Sequence, residues 1–317
     1  MEQLINSPNN PHILPHQVQA FKTLEAIAKV TFLTNRTQFP LQLRTNVCVV
    51  GPSGVGKTHL ARKIGEGVPT YYVNIATWSL LGSSQRGAAH TWLCIFEFLE
   101  KCAGKHGAVI IVDEIDKVGM NDTSGYTTFL RSEVFDLLDW RIPRGLTDTE
   151  DEIIGENRLA AAEDFLRSKT MIIGVGAFQH FWESQDRASM GFLPEQSRLQ
   201  LPDCNVIAET LPRELANRFG SNIIPIPSLV REDYLQILDS IVDRMPELWR
   251  ERFSYLARAK LDEAVRLKLG TRFFEEILLM TLVQQRQEIA DFRPEPSMLK
   301  PIAPVPELDC GGGMAIF

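Results

Sequence analysis

The sequence predicts a layered α/β domain built on a parallel sheet, followed by a small helical domain. Three observations support this fold class. Short apolar runs alternate with segments of helical periodicity between residues 18 and 226. The first apolar run ends in a glycine-rich loop, and the elements predicted between Pro227 and residue 288 are all helical.

Five short apolar runs are bounded by glycine, proline or polar residues, as buried strands of a parallel sheet are. They lie at residues 47–50, 71–75, 108–112, 171–175 and 223–226. The segments between and before them repeat apolar residues at helical spacing. These predicted helices lie at residues 18–34, 91–102, 129–140, 158–166 and 212–219.

The C-terminal part contains four further helical segments, at residues 231–243, 247–260, 261–269 and 271–288. We therefore expect four regions, since 317 residues can bury more than one core. They are an N-terminal arm and helix (1–43), an α/β domain (44–228), a helical domain (229–290) and a flexible tail rich in proline and glycine (291–317).

Composition narrows the function classes. The chain has 33 Lys and Arg against 40 Asp and Glu, a net charge of −7, which argues against non-specific coating of nucleic acid. None of the five cysteines forms a pair with metal or redox spacing, and the N-terminus does not resemble a signal peptide. No apolar stretch approaches the roughly 20 residues of a membrane span. We expect a cytoplasmic protein without membrane contact.

Residues 51–58 match the complete phosphate-loop pattern G-x-x-x-x-G-K-[ST] between a strand and a helix. Glycines let backbone N–H groups surround a phosphate, and the helix that follows directs its positive end at the same anion. Lys57 is expected to reach the β- and γ-phosphates, and the Thr58 hydroxyl to bind Mg²⁺. The residues expected to bind the nucleotide are Gly51, Pro52, Ser53, Gly54, Val55, Gly56, Lys57, Thr58, His59 and Asp113.

A second motif ends the apolar run at residues 110–112 with two carboxylates. In phosphate-loop enzymes the first carboxylate holds Mg²⁺, so Asp113 joins Thr58 as the predicted metal ligand. The adjacent Glu114 is the predicted catalytic base, because it can orient or deprotonate an attacking water. Residues 115–117 are expected to order the site.

These motifs resemble those of the AAA+ ATPase family. The pairing of GPSGVGKT with VDEIDK is similar to the ClpX and HslU branch of protein unfoldases, and the resemblance covers roughly residues 13–285. It extends to GAFQ at residues 176–179 and LPRELANR at 211–218, and loosely to residues 14–17, which match a segment that cups the adenine. The resemblance implies Mg²⁺-dependent ATP hydrolysis by a ring of like subunits, commonly six, with chaperone-like action on a protein partner.

Two arginine assignments also depend on this resemblance. It implies that residues 44–228 form the nucleotide-binding domain and that the helical domain at 229–290 is its lid. It also implies that Arg218 is a finger that reaches the nucleotide of a neighbouring subunit, and that Arg272 touches the γ-phosphate from the lid. A finger stabilises negative charge on the γ-phosphate and makes hydrolysis depend on a neighbour. The alternatives are a pair between Arg218 and Glu214 one helical turn earlier, and a solvated charge at Arg272. Arg213 is the second choice for the finger.

The chain departs from the family pattern in two places that affect function. Residues 81–87 contain no aromatic residue where the unfoldases carry a polypeptide-gripping loop, and Trp78 is the nearest. Val175 stands where the family often has a polar sensor, which Gln179 could replace. Three functions stay open: protein remodelling, a DNA-processing motor or loader, and a nucleotide-gated scaffold with slow hydrolysis. An unknown protein is the favoured partner and nucleic acid a less favoured one.

Overall fold

The computed structural model describes residues 13–34, 40–41, 43–81, 90–119, 125–144, 146, 153–179 and 213–288. Five parallel strands form one sheet in the order β2-β3-β4-β1-β5. The strands are β1 (Val47–Val50), β2 (Thr70–Asn74), β3 (Ala108–Asp113), β4 (Thr170–Gly176) and β5 (Ile223–Pro225). The predicted parallel α/β fold is confirmed.

Helices connect the strands and continue beyond them. The first six are α1 (Val18–Leu33), α2 (Lys57–Ile64), α3 (Thr91–Lys101), α4 (Gly125–Leu138), α5 (Glu156–Lys169) and α6 (Arg213–Phe219). The C-terminal helices are α7 (Arg231–Arg244), α8 (Glu247–Leu267) and α9 (Arg272–Glu288). Short 3₁₀ turns occupy Pro15–Gln17, Ile75–Thr77 and Ile115–Gly119.

The sheet is the middle layer of three, because successive side chains of a strand point to opposite faces. In β1, Val47 and Val49 belong to the core beneath α1 and α2. Cys48 and Val50 belong to the core on the other face, which α3, α4 and α5 cover. Burial on both faces explains why these strands are continuous apolar runs.

The C-terminal helices enclose a separate core around Tyr234, Phe253 and Phe273. The predicted break between residues 260 and 261 was wrong, since α8 is one continuous helix. Its buried positions Phe253, Ala257, Leu261 and Ala264 keep helical spacing through that point. The helix instead ends at Leu267, and the next residue, Lys268, caps it with a left-handed φ of 51°.

The sheet brings the carboxyl ends of β1, β3 and β4 side by side, which is where ligands bind in open α/β sheets. The loop after β1, the carboxylates after β3 and the residues after β4 therefore share one edge. None of the helices in the described part of the chain is long and apolar enough to cross a membrane.

Candidate functional site

The phosphate loop connects β1 to the first turn of α2. Gly54 and Gly56 adopt left-handed φ values of 79° and 83°, which side chains disfavour. Neighbouring atoms also leave no room for a side chain at either glycine. A Cβ at Gly56 would lie 2.4 Å from Gln17 Nε2, and one at Gly54 would lie 2.9 Å from Leu269 O. The loop is therefore enclosed by the N-terminal segment on one side and the C-terminal helical region on the other.

Lys57 begins α2 and is only 9% exposed. Its Nζ donates to the loop carbonyls of Gly51 at 2.8 Å and Pro52 at 2.7 Å. Burial lowers the pKa of Lys57 to about 8, an effect that Asp116 and Asp113 oppose and the positive charge of Arg272 increases. A buried ammonium group is stabilised most by an anion in direct contact, and these carbonyls are neutral. A phosphate group bound at the loop would supply that negative charge.

Asp113 ends β3 and collects hydrogen bonds at both carboxylate oxygens. Its Oδ2 accepts from Thr58 Oγ1 at 2.9 Å and from Tyr72 Oη at 2.7 Å. Its Oδ1 accepts from the backbone N–H of Glu114 at 2.9 Å. Hydroxyl and carboxylate oxygens are the ligands that Mg²⁺ prefers, so the residues present fit this ion.

Tyr72 was not predicted as a site residue. Burial and the hydrogen bond to Asp113 raise the pKa of Tyr72 to about 12, so its phenol stays protonated near neutral pH and is the donor. The Arg62 guanidinium lies over the Tyr72 ring at 5.0 Å from the centroid.

Glu114 follows Asp113 with a φ of 58°, a left-handed conformation that is uncommon for glutamate. Its Oε2 forms an ion pair with Lys117 Nζ at 2.6 Å, and its side chain is 39% exposed. Strained backbone at such a position is frequent in functional sites. The Glu114 carboxylate is therefore paired with Lys117 and remains accessible to solvent.

The N-terminal segment contacts the loop directly. The carbonyl of Val55 accepts from His16 Nε2 at 3.0 Å and from Gln17 Nε2 at 2.8 Å, and Gln17 also donates to Gly56 O. Burial lowers the pKa of His16. Among the described residues, His16 Nδ1 and Gln17 Oε1 are buried without a hydrogen-bond partner. Two such atoms beside a phosphate loop fit the polar edge of a nucleobase.

The C-terminal helical region also contacts the loop. The backbone N–H and the Oγ1 of Thr271 both donate to Gly54 O, at 2.7 and 2.9 Å. Tyr234 also stabilises the turn that precedes α9, because its hydroxyl accepts from the Gly270 N–H at 2.8 Å. Arg272 follows with an exposed side chain and lies close enough to Lys57 to influence its pKa.

Arg218 is placed apart from these residues. Its Nε and Nη2 donate to Asp139 Oδ2 at 3.1 and 2.9 Å, and its Nη1 donates to the backbone carbonyl of Glu214 at 2.8 Å. The guanidinium also lies 3.9 Å from the centroid of the Phe135 ring. The contact with Glu214 thus involves its carbonyl, while Asp139 supplies the ion pair. Arg213 is exposed on the same helix.

Other predicted positions are less central. Ser53 and His59 are exposed, whereas Val55 is buried. Val175 lies opposite Asp113 in the β3–β4 register and is 1% exposed, and Gln179 is exposed beyond the strand.

The predicted loop without an aromatic residue, at residues 81–87, lies outside the described part of the chain except for Leu81. Trp78 is buried and donates from Nε1 to Glu133 Oε2 at 2.8 Å. This tryptophan is therefore a core residue.

Residues 47–176 match the family described as "ATPase family associated with various cellular activities (AAA)", so the chain contains an AAA ATPase domain. The chain is similar to Lon protease 1 of Bacillus subtilis strain 168, at 29% identity over 50% of this chain and 23% of that protein. A Lon protease of Parabacteroides distasonis is 38% identical over 28% of this chain and 11% of its own length. One of Malacoplasma penetrans is 25% identical over 61% of this chain and 22% of its own.

The chain therefore spans less than a quarter of the length of each of these relatives. The predicted AAA+ resemblance is confirmed at the level of this domain. Since the similar proteins named here are Lon proteases, they do not support the ClpX and HslU branch in particular.

Proposed function

We propose that this chain is a Mg²⁺-dependent ATP hydrolase of the AAA+ type that acts as a homo-oligomeric ring of six subunits and remodels a protein or protein complex. One observation carries the proposal: the Thr58 hydroxyl and the Asp113 carboxylate meet at 2.9 Å beside the buried Lys57. A cation-binding pair and a phosphate-binding ammonium group at one loop are what a metal–nucleotide complex requires.

Within this proposal, the backbone N–H groups of residues 53–56 and Lys57 bind the phosphates, with Ser53 and His59 at the loop's exposed rim. Thr58 and Asp113 hold Mg²⁺, which when bound neutralises charge on the phosphates. Glu114 accepts a proton from the attacking water. Arg272 contacts the γ-phosphate from the lid, and His16 and Gln17 lie beside the base.

The ring proposal depends on Arg218. Three partners hold its guanidinium, and 21% of the side chain stays exposed. A pre-positioned arginine of this kind loses little conformational freedom when it meets a phosphate of a neighbouring subunit. Its charge would then stabilise the transition state there, and hydrolysis would depend on assembly.

A protein substrate is supported by the similarity to proteins named Lon protease. The net charge of −7 gives no comparable support to nucleic acid. We further propose that residues 44–228 form the nucleotide-binding domain, that residues 229–290 act as its lid, and that the protein works in the cytoplasm. Movement of the lid against the sheet is the step that transmits the energy of hydrolysis.

The buried Val175 favours a second candidate, a nucleotide-gated scaffold with slow hydrolysis. In register with Asp113, it offers no polar group at the strand end where a γ-phosphate sensor would act. In this case assembly is the function, and a Glu114→Gln variant would assemble and function like the wild type.

The test measures ATP hydrolysis per subunit over a wide range of protein concentration, for the wild type and for Arg218→Ala. We expect specific activity to rise steeply with concentration in the wild type and to stay flat and low in the variant. Asn217→Ala is the matched control, because Asn217 is exposed on the same helix and has no proposed role, and it should behave like the wild type.

A wild-type rate that is constant per subunit, together with full activity of Arg218→Ala, would overturn the shared-site proposal and favour a self-contained ATPase. Equal losses in Asn217→Ala and Arg218→Ala would assign the effect to the helix rather than to a finger. A loss in Arg213→Ala beside full activity of Arg218→Ala would move the finger to Arg213. Stimulation of hydrolysis by single-stranded or duplex DNA, but not by an unfolded protein, would contradict the protein substrate.

A further inference from the structure

We infer that Tyr72 is a positioning residue that holds the metal-binding carboxylate of Asp113 in place. The inference rests on the proposed function of the site. It starts from the 2.7 Å hydrogen bond between Tyr72 Oη and Asp113 Oδ2, the same oxygen that accepts from Thr58.

Strand register brings Tyr72 to this place. Strands β2 and β3 are parallel, and Asn74 lies opposite Asp113, so Tyr72 lies two residues before the carboxylate on the neighbouring strand. Its side chain shares the face of the sheet with Arg62 of α2, whose guanidinium covers the ring. Held from that side, the phenol reaches along the sheet to the carboxylate at the end of β3.

The neighbouring Tyr71 has a different role. Alternation along β2 directs it to the opposite face, where its ring lies 5.4 Å from that of Phe98 and packs against the larger core. Tyr71 and Tyr72 are thus adjacent in β2 but lie on opposite faces of the sheet, and of the two only Tyr72 contacts the proposed metal site. This pair offers a matched comparison within a single strand.

The physical effect follows from the hydrogen bonds of Asp113. Its Oδ1 is fixed by the Glu114 N–H, and its Oδ2 by Tyr72, so rotation of the carboxylate is opposed at both oxygens. The Thr58 hydroxyl donates its hydrogen to Asp113. The lone pairs of Thr58 Oγ1 therefore remain available to a cation. Partners that orient a ligating carboxylate raise the affinity for the metal.

The substitution Tyr72→Phe tests this, because it removes the hydroxyl and keeps the ring under Arg62. We would measure binding of Mn²⁺ in the presence of ADP by electron paramagnetic resonance, and binding of ADP alone in EDTA by calorimetry. We expect the Mn²⁺ affinity to fall about tenfold, while ADP binding without metal stays within about twofold. In hydrolysis assays the half-saturating Mg²⁺ concentration should rise, and turnover at saturating Mg²⁺ should recover.

Tyr71→Phe is the control and should leave Mn²⁺ affinity unchanged, with thermal unfolding midpoints recorded for all proteins. Wild-type Mn²⁺ affinity in Tyr72→Phe would refute the inference. An equal loss in Tyr71→Phe, or a loss of metal-free ADP binding in Tyr72→Phe, would also refute it, because either result indicates a general disturbance of β2. If the wild type itself fails to bind ADP with Mn²⁺, the proposed function fails instead.

Discussion

Replacement of Lys57 by methionine is expected to stabilise the nucleotide-free protein while abolishing nucleotide binding. Burial lowers the pKa of Lys57 from 10.5 to about 8. At about 1.4 kcal/mol per pKa unit, holding the charge in the folded state costs roughly 3 kcal/mol. Methionine also removes the hydrogen bonds to Gly51 and Pro52, which contribute about 1 kcal/mol each. The expected net gain at pH 7 is therefore about 1 kcal/mol.

The pH dependence is the sharper part of this prediction. Because the pKa of Lys57 is lower in the folded chain than in the unfolded chain, the unfolded chain binds more protons between about pH 8 and 10.5. The free energy of unfolding of the wild type should then rise with pH across that window. Relative to Lys57→Met, the wild type should gain about 2 kcal/mol between pH 7 and pH 9.5.

Urea denaturation, followed by circular dichroism at several pH values, measures both quantities. Lys101→Met is the control, since Lys101 has a 78% exposed side chain in a surface pair with Glu97 and should change stability by less than about 0.5 kcal/mol at any pH. A difference between wild type and Lys57→Met that stays constant from pH 7 to pH 9.5 would refute the reasoning.

Three further predictions concern other groups at the site. Burial lowers the pKa of His16, so the unfolded chain binds more protons as pH falls below 6.5; urea denaturation at pH 5 and 7.5 should show a loss of stability at low pH that is smaller in His16→Leu. Thr271→Val removes the hydroxyl bond to Gly54 but keeps the N–H bond, so we expect a loss of about 1 kcal/mol and faster hydrogen exchange in residues 269–274. Glu114→Gln should lower turnover at least about 100-fold while isothermal titration shows ATP affinity unchanged.

Short sequence motifs predicted those site residues that lie within one continuous segment of the chain. The loop at residues 51–58 and the carboxylate after β3 each combine a strand end with a short pattern, and parallel strands bring such ends to one edge. Sequence reasoning could therefore place Lys57, Thr58 and Asp113 together before any coordinates. Their chemical roles stay predictions until they are tested.

Contacts that depend on neighbours in space were beyond the sequence patterns. Tyr72 meets Asp113 only because β2 pairs with β3 in a particular register, and no spacing along the chain expresses that register. Helical spacing offered Glu214 as the alternative partner of Arg218, but the ion pair forms with Asp139, 79 residues away. The residues around Asp139, which follows α4, contain no pattern that predicts its contact with α6.

The contact of Thr271 with Gly54 has a mechanical consequence. The Gly54 carbonyl joins the phosphate loop to Thr271, the residue before α9, a helix of 17 residues that is about 25 Å long at 1.5 Å per residue. The linkage lies at one end of this helix, and α9 shares one buried core with α7 and α8. A shift of the loop would therefore be passed through this one carbonyl to three packed helices, which would move as a unit.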